Sequence, residues 1–128
     1  MDFVYHFLVA AGLFVLIDAV WLSVVANKFY KSKLKHLLRE KPNFTPAVIF
    51  YLIYMAAVVV FVIDPGLKQQ SLSFVVGHGA LLGLAMYATY DLTNHSTIKG
   101  WPASITYLDL AWGTTITTLV SIATYFIF

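Results

Sequence analysis

Apolar positions in this chain fall into four long runs, each separated from the next by a short polar stretch. The runs cover about residues 3–26, 46–63, 72–94 and 102–127. A helix that crosses a bilayer needs about 20 mostly apolar residues. The pattern predicts four transmembrane helices. The breaks carry helix punctuation. Thr45-Pro46 reads as an N-cap with proline at the first helical position. Asp64-Pro65-Gly66 reads as a turn that stops the second helix. Gly100-Trp101-Pro102 opens the fourth, with Trp101 where an interfacial aromatic belongs. The predicted fold class is all-α: an integral membrane bundle of four transmembrane helices, in a single domain over residues 1–128.

Composition strengthens this reading. The chain is 60% hydrophobic and 11% charged, with mean hydropathy +0.80. Soluble domains carry about 25% charged residues, and a soluble chain this short could not bury so much apolar surface. There are no cysteines, which excludes disulfides, thiolate metal sites and cysteine nucleophiles. The N-terminal run has no basic residue before Lys28 and contains Asp18. It is expected to be a retained first span, not a secretory signal.

Charge orients the bundle. The connection over residues 28–41 holds Lys28, Lys31, Lys33, Lys35, Arg39 and Lys41 against one acid, Glu40. The other two connections hold only Lys68 and Lys99. The positive-inside rule places the first and third connections in the cytoplasm, and both termini outside it. Within the basic segment Tyr30, Leu34, Leu37 and Leu38 fall at i, i+4, i+7 and i+8. That is an amphipathic stripe, expected to lie on the inner leaflet and attract anionic headgroups. Membrane lipids are the expected partners. Nucleic acid is not, because no recognisable binding module is present.

Candidate chemistry lies inside the spans. Asp18, Asp91 and Asp109 are intramembrane acids, and no lysine or arginine shares the spans with them. Ionisable groups at such depth mark functional sites by default. At 1.5 Å per residue, Asp18 lies roughly 12 Å before the basic end of its helix and Asp109 roughly 10 Å beyond the start of its own. Asp91 lies within about one turn of the same end, so the first, third and fourth helices can bring all three together. The second helix has only tyrosines as ionisable groups and is expected to be the outermost and most lipid-exposed. Asp18-x-x-Trp21, Asp109-x-x-Trp112 and Asp91-x-x-Asn94 each place an acid and a donor at i, i+3 on one helix face. Tyr90 joins these candidates, and Tyr87, Thr89, Thr106, Tyr107, Thr114 and Thr115 are placed to extend a polar network.

Other features are weaker. His6 and His78 lie at similar outer depths and are weak candidate haem ligands. Gly79-x-x-x-Gly83 lets two helices approach closely, either within one chain or in a homodimer. P-loop, H-E-x-x-H and G-x-S-x-G motifs are all missing. The residues name no cofactor, metal or catalytic group.

The boxes Tyr90-Asp91-Leu92-Thr93-Asn94 and Asp109-Leu110-Ala111-Trp112-Gly113, with Asp18-x-x-Trp21 and Phe29-Tyr30, resemble a known family. It is a family of small bacterial inner-membrane proteins with four spans, known only as a domain of unknown function. The resemblance covers nearly the whole chain. It implies a multi-pass protein of the bacterial inner membrane, and that these boxes are the family's signature. It implies no activity.

The expected function is binding of a small ligand or lipid at the carboxylates near the cytoplasmic face. Three alternatives stay open. One is a proton- or cation-coupled small transporter acting as a dimer. Another is a lipid-modifying membrane enzyme using paired carboxylates as acid and base or as holders of a divalent metal. The last is a non-catalytic subunit of a membrane complex.

Overall fold

A computed structural model describes residues 2–37 and 43–128, with 26 and 27 described in backbone only. Leu38, Arg39, Glu40 and Lys41, part of the basic segment, lie outside the described residues. Four helices are long and apolar enough to cross a membrane: Asp2–Val25, Phe44–Gln69, Leu72–Thr97 and Ala103–Ile127. No strand occurs among the described residues. We call these helices the first to fourth spans. By chain order their ends alternate. One end of the bundle carries the basic connection between the first and second spans, and is called the basic end here.

The third and fourth spans form the closest pair. Lipid is as apolar as leucine, so spans associate through close packing and polar contacts, not through burial of oily surface. Gly79, Gly83 and Gly113 supply that closeness. A Cβ at Gly83 would collide with the Gly113 carbonyl and Thr117, and one at Gly113 would collide with the Tyr87 ring. Gly79 is looser, with the nearest atom to a new Cβ being Ser121 Oγ at 3.4 Å. The Gly79-x-x-x-Gly83 face is thus filled by the fourth span of the same chain.

The second span departs from expectation in three ways. Its N-cap is Asn43, whose Oδ1 accepts from the Thr45 amide at 3.2 Å, so the helix begins before Thr45-Pro46. Asp64-Pro65-Gly66 does not stop it. The helix widens to π geometry over Val59–Ile63 and runs on through Asp64–Gln69. In a regular α-helix the Pro65 ring would clash with the carbonyl four residues back; a π turn is a known way to absorb such an insertion. The true stop is Gln70 at φ 52, a left-handed cap, followed by the Ser71 N-cap of the third span.

The third departure concerns burial. Far from being the outermost helix, the second span supplies Tyr54, Met55, Val58, Val59, Val62 and Ile63 to the core. Positions 54, 58, 62 and 66 share this buried face, a spacing that a helix mixing α and π turns keeps in line. Tyr54 is fully buried; its hydroxyl pairs with Thr117 and its ring meets Phe14 edge-on at 5.2 Å. Tyrosine in that environment needs a partner for its hydroxyl, and Thr117 provides it. The other half of the helix is different: Phe44, Val48, Ile49, Phe50, Tyr51, Leu52 and Ile53 are all exposed. The second span packs tightly at one end and stands clear of the bundle at the basic end.

The first span also continues past its expected end. It passes into a π-helical stretch, Leu22–Tyr30, and then a helical turn, Lys31–Leu34. The basic segment is therefore an extension of the first span, not a separate surface helix. Leu34 is buried and Tyr30 half-buried, while Lys28, Lys31, Lys33, Lys35 and Leu37 are exposed. The His36 ring lies near Gly100 of the third connection, so this extension folds over the basic end.

Candidate functional site

The three acids and two tryptophans do converge, but by crossed pairing. Trp112 Nε1 of the fourth span donates to Asp18 Oδ1 of the first at 3.3 Å. The Trp21 and Trp112 rings stack at 4.1 Å with 6° between their planes. Neither tryptophan bonds the acid on its own helix face. An indole extends well past the short carboxyl one turn back, so it reaches the neighbouring span instead. The expected bond from Asn94 to Asp91 is also missing, since neither Asp91 oxygen has a partner.

Asp109 takes its donor from a residue that sequence reasoning placed elsewhere. The Tyr30 hydroxyl donates to Asp109 Oδ1. Burial pushes the Tyr30 phenol far above its usual range, and its hydrogen bond to Asp109 and that carboxylate's charge push it further. It stays a donor at any neutral pH. Helix geometry explains the surprise. The stretch Leu22–Tyr30 is nine residues of π-helix. A π-helix takes about 4.4 residues per turn against about 3.6 for an α-helix. Nine residues are about two π turns but about two and a half α turns. The π stretch thus returns Tyr30 to the face of Trp21, and the two rings meet at 6.4 Å.

Asp91 is fully buried and faces Asp109, with no hydrogen bond of normal geometry between the two carboxyls. Asp18 lies within Coulombic reach of Asp109. Among the described residues no lysine or arginine pairs with any of the three; the salt bridge that does form is His6 with Asp64 at 2.5 Å, near the opposite end. Among the described residues, too, no group of three His, Cys, Asp or Glu side chains could hold a metal ion.

The splayed half of the second span leaves clefts on either side of Tyr51. One, of about 380 Å³, lies between the first and second spans with Asp18 on its wall. The larger, of about 590 Å³, opens between the second span and the third and fourth. It is lined by Phe50, Tyr51, Met86, Tyr87 and Tyr90, with Asp109 among them. Of these residues only Tyr87, Tyr90 and Asp109 were candidates from the sequence. Phe50 and Tyr51 belong to the helix expected to be most lipid-exposed, and only the placement of that helix against the third and fourth spans makes them walls.

Several expected participants lie elsewhere. Thr89, Thr114 and Thr115 bond carbonyls four residues back on their own helices, the usual resting place of such hydroxyls. Tyr107 is 70% exposed. Thr106 instead joins Trp101 Nε1 at 3.0 Å and His95 Nδ1 at 3.2 Å, which ties the end of the third span and the third connection to the fourth span. Asn94 is half-buried one turn beyond Tyr90. His6 is taken by Asp64 and the Phe128 ring. His78 bonds the Phe74 carbonyl on its own helix at 3.0 Å. The two histidines are thus engaged with different partners.

The profile of a family described as "Predicted membrane protein (DUF2177)" matches residues 3–126. The chain belongs to that family. All the acids and aromatics of the convergent cluster fall within the matched residues, so the cluster sits inside the family's own domain. No curated protein and no solved structure matches the chain. The family establishes a multi-pass membrane protein and leaves its chemistry to be read from the site.

Proposed function

We propose that this protein binds a small ligand or lipid through a polar group that enters the larger cleft and meets the Asp91–Asp109 pair. The observation that carries the reading is Asp91. It is wholly buried, both its oxygens lack partners, and it lies directly behind an acid on the wall of an open cleft. An unpartnered polar group in hydrocarbon costs several kcal/mol. A sequence built only for stability would carry an apolar residue there. In this reading the protein sits in a bacterial inner membrane with the basic end in the cytoplasm. The cleft then lies at the depth of the inner headgroups, and Lys28, Lys31, Lys33 and Lys35 gather anionic lipid around it.

Native mass spectrometry of protein extracted gently from its own membrane tests this. Wild type should retain a specific ligand that Asp109→Asn and Asp91→Asn lose while keeping their helical content. A ligand retained equally by both variants, or no ligand in wild type, would end the proposal. A stable complex with another membrane protein that survives both substitutions would favour a subunit role instead.

A further inference from the structure

We infer that the ligand of this cleft carries an organic ammonium group, which seats against Asp109 and is enclosed by the aromatic walls. This rests on the binding proposed above and goes further by naming the chemistry recognised. Two independent features select a cation. The first is charge: Asp109 lines the cleft, fully buried and unpartnered Asp91 backs it, and no lysine or arginine pairs with either among the described residues. The second is the wall. Phe50, Tyr51, Tyr87 and Tyr90 surround the same space, and aromatic faces attract cations, most of all alkylated ammonium groups.

Competing chemistries fit less well. An anion would meet the Asp109 carboxyl, with Asp91 buried behind it. A bare metal ion would find too few ligating groups, since among the described residues no set of three His, Cys, Asp or Glu side chains lies close enough. An alkylammonium satisfies both kinds of wall: its N–H or N–CH₃ groups face Asp109, and its chain lies along Phe50 and Met86. The same group can come from the ethanolamine headgroup of a lipid or from a free amphiphilic amine.

The test uses the full-length protein in phosphatidylglycerol nanodiscs, with octylammonium as probe and 1-octanol and octanoate as chain-matched controls. Binding is followed by isothermal titration. Octylammonium should bind saturably, at least tenfold more tightly than octanol, with octanoate weaker still. Asp109→Asn should lose that tenfold preference; asparagine can still accept from Tyr30, so the fold is kept. Phe50→Leu keeps apolar bulk but removes an aromatic face, and should weaken octylammonium about threefold with octanol unchanged. Adding phosphatidylethanolamine to the nanodiscs distinguishes the source: competition with octylammonium assigns the seat to a lipid headgroup, and its absence assigns it to a free amine. Octanol binding as tightly as octylammonium would overturn the ammonium inference while leaving a binding cleft in place. Octylammonium binding only after Arg39→Ala with Lys41→Ala would also overturn it, by giving the seat to the chain's own cation. Failure of every probe, together with no ligand retained in native mass spectrometry, would remove the underlying binding proposal as well.

Discussion

At the scale of single residues, the polar contacts of the acid–aromatic cluster run between helices and not along them. Tyr30 shows the consequence. Removing its hydroxyl in Tyr30→Phe should leave Asp109 without its donor and cost about 1–2 kcal/mol, read as a lower midpoint in thermal unfolding. The effect has a predictable pH dependence. The phenol's pKa is raised in the folded protein. Its contribution is fully present below the unfolded tyrosine value of about 10 and is lost as pH rises beyond it, because the unfolded state ionises first. The gap between wild type and Tyr30→Phe should therefore be constant at neutral pH and shrink in alkali. Trp112→Phe should abolish both the Asp18 bond and the exciton signal of the Trp21–Trp112 stack in circular dichroism. A surviving couplet would place the stack elsewhere.

Elements obey two different packing regimes. The third and fourth spans meet through glycine, and the two positions of the Gly79-x-x-x-Gly83 pair should respond differently. Gly83→Ala drives a methyl into the Gly113 backbone and Thr117 and should cost about 1–3 kcal/mol. Gly79→Ala meets only ordinary contacts and gains helix propensity of up to about 1 kcal/mol, so it should be neutral or mildly stabilising. Equal losses in thermal unfolding would show that the two helices do not cross as described. The second span behaves as two halves. Its Val59–Ile63 π turn keeps one face aligned with the core, while its first half stands free and creates the clefts. Pro65 was legible in the sequence as punctuation. What it punctuates is a change of helix type, because a wider turn can absorb the ring without breaking the helix.

At the scale of the whole molecule, the charge asymmetry predicts orientation. The chain has no cysteine, so single introduced cysteines report cleanly. In intact cells, Gln70→Cys in the second connection should react with a membrane-impermeant maleimide, and Lys33→Cys should not. The reverse pattern would invert the bundle and place the acid cluster near the outer leaflet. The bundle is also polarised chemically: His6–Asp64 ties the first two spans near one end, and the acid–aromatic cluster occupies the other.

Sequence alone determined the membrane setting, the number of spans, the approximate limits of the third and fourth and the convergence of Asp18, Asp91 and Asp109. Each of these follows from counting residues: apolar run length against bilayer thickness, and rise per residue against depth. It did not determine which acid meets which donor. Pairing depends on helix phase, and a π stretch changes phase without leaving a mark in composition. Nor did it reveal the cleft. Phe50 and Tyr51 look like any lipid-facing aromatics until the second span, packed into the core through Tyr54 and Val58, places them in one cleft with Asp109. Local patterns encode what one helix does in lipid; only the assembled bundle decides which faces are pressed together and which are left open for a ligand.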